Sequence, residues 1–232
     1  MRVFRAAVCG VLVCVAGGWV AVRESCHGAG VPVPPHDGGA IAPPGRAVPP
    51  RRVADAGGIA DRRRIEAAGG DARRAAIIRA ARASLRIREA TGKNDGPEVE
   101  AILDAVGLRG TGAPWCAAYV VWVGDTALGR DGNPYPRSAW SPDMVRAPTW
   151  TLAGGGRTPQ PGDTFGIWFR SKGRVAHTGL VGSWGGRYVE TYEGNTSPDA
   201  APGSAADRDG GGAHRKRRLV GQIHSARDWL GR

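Results

Sequence analysis

Apolar positions along the chain change their spacing several times, and each change marks an element. Ala6 to Val22 runs without a charge. From Asp71 to Ala90, arginine alternates with Ala, Ile and Leu. Ile77, Ala81 and Leu85, with Ile78 beside them, stand at i, i+4 and i+8, which predicts a helix with one core face. Asp71 is placed to cap its start. Thr91 to Gly96 reads as a turn, and Pro97 opens a second helix that runs through Val106 to the stop at Gly107. Pro114 precedes a third helical run containing Val120 and Val123. Past residue 150 the period shortens to two. The turn Pro161-Gly162-Asp163 leads into a strand over Thr164 to Phe169. Val175 to Val181 and Arg187 to Thr196 are two more strands around the turn Trp184-Gly185-Gly186, and Leu219 to Ile223 is a last one. Helices first and an antiparallel meander afterwards predict an α+β domain, with the N-terminal helices packed on an antiparallel sheet.

The ends of the chain have a different character. Arg2 and Arg5 precede the uncharged run of 17 residues, which is the pattern of a secretory signal. No clean small-residue cleavage site follows, so residues 1–28 read as a signal peptide or as a retained membrane anchor. Residues 29–60, with Val-Pro-Val-Pro-Pro, Ala-Pro-Pro-Gly and Val-Pro-Pro, cannot pack a core and predict an extended spacer. The folded domain is expected over 61–232, outside the cytoplasm: in the cell envelope, periplasmic or secreted. Cys9 and Cys14 lie inside the apolar run. Cys26 follows Arg23-Glu24-Ser25, unlike a lipoprotein signal. The four cysteines make no disulfide framework or paired metal site, and Cys116 stands alone in the folded part.

A formal net charge of +11 at pH 7 raises the question of an anionic partner. Residues 111–206 carry 8 basic and 7 acidic side chains, whereas 207–232 carry 7 and 3, so the excess sits in the flanks. Neither zinc-finger spacing nor an aromatic-basic RNA signature accompanies it, and no nucleic-acid partner is expected. His214 and His224, in or near the basic tail Arg215-Lys216-Arg217-Arg218, read as surface histidines. Asp207-Arg208-Asp209-Gly210 superficially resembles a calcium loop but lacks its later ligands, so no metal and no cofactor are assigned.

The candidate chemistry begins at Gly112-Ala113-Pro114-Trp115-Cys116-Ala117-Ala118. Proline ahead of the helix puts Cys116 in the first turn, where unpaired N–H groups and the helix dipole favour a thiolate. The same N–H groups can hold an oxyanion. His177 lies mid-strand in Val175-Ala176-His177-Thr178-Gly179, with Gly179 leaving room beside the imidazole. Glu193 and Asn195, two apart in Glu193-Gly194-Asn195-Thr196, fall on one face of a strand. Nucleophile, base and an orienting carboxylate or amide form the triad logic of cysteine hydrolases; Glu193 is expected to orient His177 and Asn195 to steady the site, with the papain-like arrangement in which the amide orients the histidine as the alternative. Trp115, Tyr119, Trp122, Trp168 and Trp184 fit core packing better than a glycan groove.

Taken in order, Pro-Trp-Cys-Ala-Ala, Pro-Gly-Asp, His-Thr-Gly and Glu-Gly-Asn-Thr resemble a CHAP domain, a papain-like cysteine peptidase near the NlpC/P60 enzymes, over roughly residues 84–223. The resemblance implies a peptidoglycan endopeptidase or N-acetylmuramoyl-L-alanine amidase. It implies Cys116 as nucleophile and His177 as base, with Glu193 and Asn195 completing the site. The Gly-rich stretch Pro198 to Gly212 departs from the family and is expected to reshape substrate access. A non-catalytic wall-binding or scaffolding domain on the same fold is the competing reading, because fold alone does not fix function.

Overall fold

The computed structural model describes residues 69–146, 150–151 and 157–231. The expected leader (1–28), the spacer (29–60) and residues 61–68 lie outside the described residues.

Helix α1 spans Gly70–Ala83 and is shorter than its pattern suggests. Ile77, Ala81 and Ile78 are buried as the stripe requires. At its C-terminal end the Ser84 Oγ donates to the Ala81 carbonyl at 2.7 Å. Residues 87–89 then turn away from the helix and bond residues 211–213: Ala213 N–H donates to Ile87 O at 3.1 Å and Glu89 N–H to Gly211 O at 2.9 Å. Tertiary pairing here overrides the helix propensity of an Arg/Ala/Leu run. Asp71 sits inside the first turn, and Gly69 holds the N-cap position without a side-chain bond. The carboxylate therefore faces the dipole rather than capping it.

Helix α2, Pro97–Asp104, starts at its proline as read. Helix α3, Cys116–Leu128, is buried on nearly all sides, as suits an element at the centre of a domain. A 3-10 turn at Ser141–Val145 follows.

Six strands form one antiparallel sheet: β1 Trp150–Thr151, β2 Thr164–Phe169, β3 Arg174–Trp184, β4 Tyr188–Thr196, β5 Gly212–Leu219 and β6 Ser225–Arg227, in the order β1-β6-β2-β3-β4-β5. The run β2 to β4 follows the sequence reading. The last strand does not: the basic stretch is itself part of β5, which ends at Leu219, and Val220–Gln222 form a 3-10 turn that exits at Ile223. Alternation explains this. Arg215 and Arg217 face solvent, while Lys216 and Arg218 point inward. Afterwards the chain crosses to the far side of β2 and adds β6 there. A short helix α4, Ala205–Arg208, lies between β4 and β5, its first turn capped by the Ser204 hydroxyl.

Leu180 and Tyr192 join the helices in the main core, whereas Val181 and Val189 belong to a second cluster with Phe165, Ile167 and Ile223. Alternate residues thus serve two cores, and the sheet centre is buried on both faces. Trp115 and Tyr119 are fully buried, as expected for core; Trp168 is 46% exposed and Trp140 49%.

Candidate active site

Cys116 is the first residue of α3 and a free thiol, 3% exposed. Two anchors fix this helix start. The Trp115 indole donates to Glu89 Oε1 at 2.9 Å. Gly194 on β4 lets the strand close on Trp115 and Tyr119, since a Cβ there would stand 2.6 Å from both side chains. The sulphur lies 3.3 Å from the Ser141 Oγ, which the 3-10 turn supplies. Sequence reasoning missed Ser141, because only the tertiary fold brings it to Cys116, 25 residues away.

His177, on β3, is fully buried, and its Nε2 lies 2.8 Å from Glu193 Oε2 on β4. Its other nitrogen, Nδ1, is buried without a hydrogen-bond partner. That leaves Nδ1 as the nitrogen through which imidazole and thiol act on one another. Burial pushes the Cys116 thiol up, but the His177 imidazole, the Ser141 hydroxyl and the Ala117 N–H outweigh it and hold the thiol below its ordinary value. Burial likewise opposes the imidazolium, yet Cys116 and Glu193 together push His177 up to about 9. Both shifts favour the thiolate–imidazolium pair.

Glu193 has a second partner of opposite charge. Arg218 Nε donates to Oε1 at 2.6 Å and Nη2 to Oε2 at 2.5 Å, while the Thr191 hydroxyl also donates to Oε1 at 2.5 Å. Burial alone would raise this carboxyl, but Arg218 and His177 hold it well below the usual carboxylate range. Gly179 makes room for Glu193 rather than for the imidazole: a Cβ there would lie 3.0 Å from Glu193 Cγ and 2.6 Å from the Tyr192 carbonyl oxygen.

Asn195 does not share this face. The β4–β5 register shifts between Glu193 and Thr196, and Asn195 takes φ 58°, so strict alternation ends at Gly194. Its Nδ2 lies 3.4 Å from Asp209 Oδ1, its backbone carbonyl accepts from Gly210 N–H at 3.0 Å, and its buried Oδ1 has no partner. The structure brings Cys116, His177 and Glu193 together and turns Asn195 toward residues 209–210. Among the described residues no group of His, Cys, Asp and Glu side chains is arranged to hold a metal. His214 is half-buried, and exposed His224 stacks on Trp168 with centroids 5.2 Å apart.

A thiol at a helix start, joined to an imidazole and a carboxylate on neighbouring antiparallel strands, has the architecture of the papain-like cysteine hydrolases. Within that class, residues 108–195 match the family model of the CHAP domain. CHAP domains are generally cysteine- and histidine-dependent hydrolases of the peptidoglycan amidase and peptidase type. No curated protein and no solved structure matches the chain.

Proposed function

We propose that the chain hydrolyses an amide bond of peptidoglycan, as an endopeptidase or an N-acetylmuramoyl-L-alanine amidase, with Cys116 as nucleophile and His177 as base. The observation that carries this reading is the coupled burial of thiol and imidazole, with the far imidazole nitrogen held 2.8 Å from an ionised Glu193. The Cys116 thiolate attacks the amide carbon, and the charge that forms on its oxygen is met by N–H groups at the start of α3. His177 then gives its proton to the departing amine, leaving a thioester on Cys116. Water loses a proton to His177 and attacks the thioester, and collapse releases the acid and the Cys116 thiolate, which restores the thiolate–imidazolium pair. Glu193 holds the imidazole in one orientation and stabilises its protonated form.

Near-complete burial of Cys116 is the one observation that favours the competing reading, a wall-binding domain without turnover. Incubating the full chain with purified sacculi and identifying new amino and carboxyl termini by mass spectrometry separates the two. Release of such ends by the wild type, and none by Cys116→Ala, is the expected result. Binding to sacculi with no new ends in either protein would leave only the wall-binding reading.

Export belongs to the same proposal. Its support is the apolar Ala6 to Val22 run behind two arginines, followed by the proline spacer. Alkaline phosphatase fused after residue 60 is expected to be active in a bacterial host; a well-expressed but inactive cytoplasmic fusion contradicts export.

A further inference from the structure

Behind Glu193 the ion pairs continue into a part of the chain that lies beyond the matched residues 108–195. Arg218 on β5 forks both oxygens of Glu193, and its Nη1 and Nη2 also reach Asp207 at 3.1 and 2.7 Å. Lys216, two residues earlier on the same face of β5, donates to Asp207 Oδ1 at 2.7 Å, to Ser197 O at 3.0 Å and to Thr196 Oγ1 at 3.3 Å. Glu193 and Asp207 are fully buried, and Arg218 and Lys216 nearly so, at 3% and 9% exposure. Starting from the reactive pair, the charges alternate: Cys116 thiolate, His177 imidazolium, Glu193, Arg218, Asp207, Lys216. The six sum to zero.

Asp207 comes from the Gly-rich 198–212 stretch, which lies folded against β4. Its α4 helix presents Asp207 inward, Gly203 N–H donates to Asp207 Oδ2 at 3.0 Å, and Ser197 N–H donates to Ala206 O at 3.0 Å. Gly210 lets the stretch lie directly on β4, since a Cβ there would stand 2.4 Å from Ser197 and Thr196 backbone atoms. Beyond any effect on substrate access, residues 198–212 furnish a counter-charge beneath the site.

We propose that Arg218 is a positioning residue for the Cys116–His177 pair, acting through Glu193, and that residues 198–212 belong to the active site because Asp207 holds Arg218 in place. The inference rests on the hydrolase reading for its functional meaning, though not for its geometry. An isolated Arg218 would be a buried cation with one filled edge; Asp207 fills the other, so the guanidinium plane is fixed and Glu193 Oε2 stays aimed at His177. Lys216 in turn keeps Asp207 from adding a net negative charge. The groups facing His177 are Cys116 from α3 and Glu193 from β4. Those facing Glu193 are Arg218 and Thr191, with His214 opposite it in the β4–β5 register and the Tyr119 hydroxyl of α3 within electrostatic reach. Asp207 faces Arg218 and Lys216.

Charge alternation gives the test opposite signs. Asp207→Asn leaves the network one positive charge in excess, which disfavours the imidazolium, whereas Lys216→Met leaves one negative charge in excess. In the full chain, the His177 titration midpoint followed by NMR is expected to fall in Asp207→Asn by about half a unit or more, to rise in Lys216→Met, and to return near wild type in the charge-balanced double variant. The alkaline limb of sacculus hydrolysis should move with it. Arg218→Lys keeps the charge but loses the fork. It is expected to lower kcat about tenfold or more and to slow Cys116 alkylation by iodoacetamide, with the midpoint nearly unmoved. Identical titrations in Asp207→Asn, Lys216→Met and wild type overturn the proposal. Should the single charge variants fail to fold, wild-type turnover and alkylation in Arg218→Lys overturn it. NMR shifts of the expected signs without any hydrolysis by the wild type would instead refute the hydrolase reading and leave the network standing.

Discussion

Of the two neighbouring side chains, Glu193 is the one that contacts the histidine. Its Oε2 occupies His177 Nε2 at 2.8 Å, and no distance of this kind links Asn195 to the imidazole. Because Cys116 and Glu193 raise His177 to about 9 against the opposition of burial, the imidazolium persists at neutral pH and is lost as pH rises through that value. The thiol is lowered, so the ion pair occupies the window between the two titrations, and under the proposed mechanism the alkaline limb of activity is assigned to His177. Glu193→Gln removes the charge that favours the imidazolium. That limb is therefore expected to move to lower pH by about one unit or more in the pH profile of sacculus hydrolysis. Asn195→Ala, acting on the contact with Asp209, is expected to reduce rate with the limb unmoved. A shifted limb in Asn195→Ala and an unshifted one in Glu193→Gln would exchange the two roles. Cys116, His177 and Glu193 were legible in the sequence because each lies within a few residues of the local feature that places it: a proline ahead of a helix, an apolar strand, a strand with period two. Ser141 was not, since nothing near it in sequence points to Cys116, and Asn195 was misplaced because a register shift and a positive φ leave no signature in an alternation pattern.

At the scale of elements, local signals and long-range contacts divide the legibility between them. Strand β2 begins where Pro161-Gly162-Asp163 predicts, and α2 at its proline. Helix α1 was overestimated because residues 87–89 bond residues 211–213, a contact more than 120 residues away in sequence. Strand β5 was missed because four consecutive cations read as a solvated face, whereas two of them are drawn inward by buried carboxylates. The contact between α3 and β4 depends on Gly194 more than on any periodic residue. Gly194→Ala would force a methyl to within 2.6 Å of Trp115 and Tyr119, both fully buried. Overpacking of this kind costs about 1–3 kcal/mol, so a clear fall in Tm is expected. Displacement of the α3 start should also slow Cys116 alkylation. Gly186→Ala in the β3–β4 turn serves as the control, because a methyl there would meet no atom within 4 Å. It is expected to change stability by no more than about 0.5 kcal/mol. Equal Tm values for the two variants would mean that the close approach at Gly194 relaxes at no cost.

For the molecule as a whole, the net charge of +11 gives a poor picture of the site, where charges are buried in balanced succession. Such a network ties stability to pH on both sides of neutrality. His177 is raised in the folded state, so its contribution is complete below its ordinary value of 6.5 and is lost as pH climbs through about 9. Glu193 and Asp207 are lowered, Glu193 chiefly by Arg218 and Asp207 by Arg218 and Lys216. Their contributions are present above the ordinary carboxylate range and are lost as pH falls below it. Asp163 works in the other direction, since burial pushes it up despite its ion pair with Arg74 at 2.6 Å. One carboxyl of that kind is outnumbered by the two lowered ones, which also lie deeper in the fold. Cys116, lowered in the folded state, gains its contribution as pH rises toward the ordinary thiol value and opposes the loss from His177, so thermal unfolding of the full chain is expected to show Tm falling below the carboxylate range and changing little between about 6.5 and 9. A Tm that falls steeply between about pH 6.5 and pH 9 would mean that the thiol stays protonated beside the imidazolium, and that the thiolate–imidazolium pair is not the resting state of the folded protein.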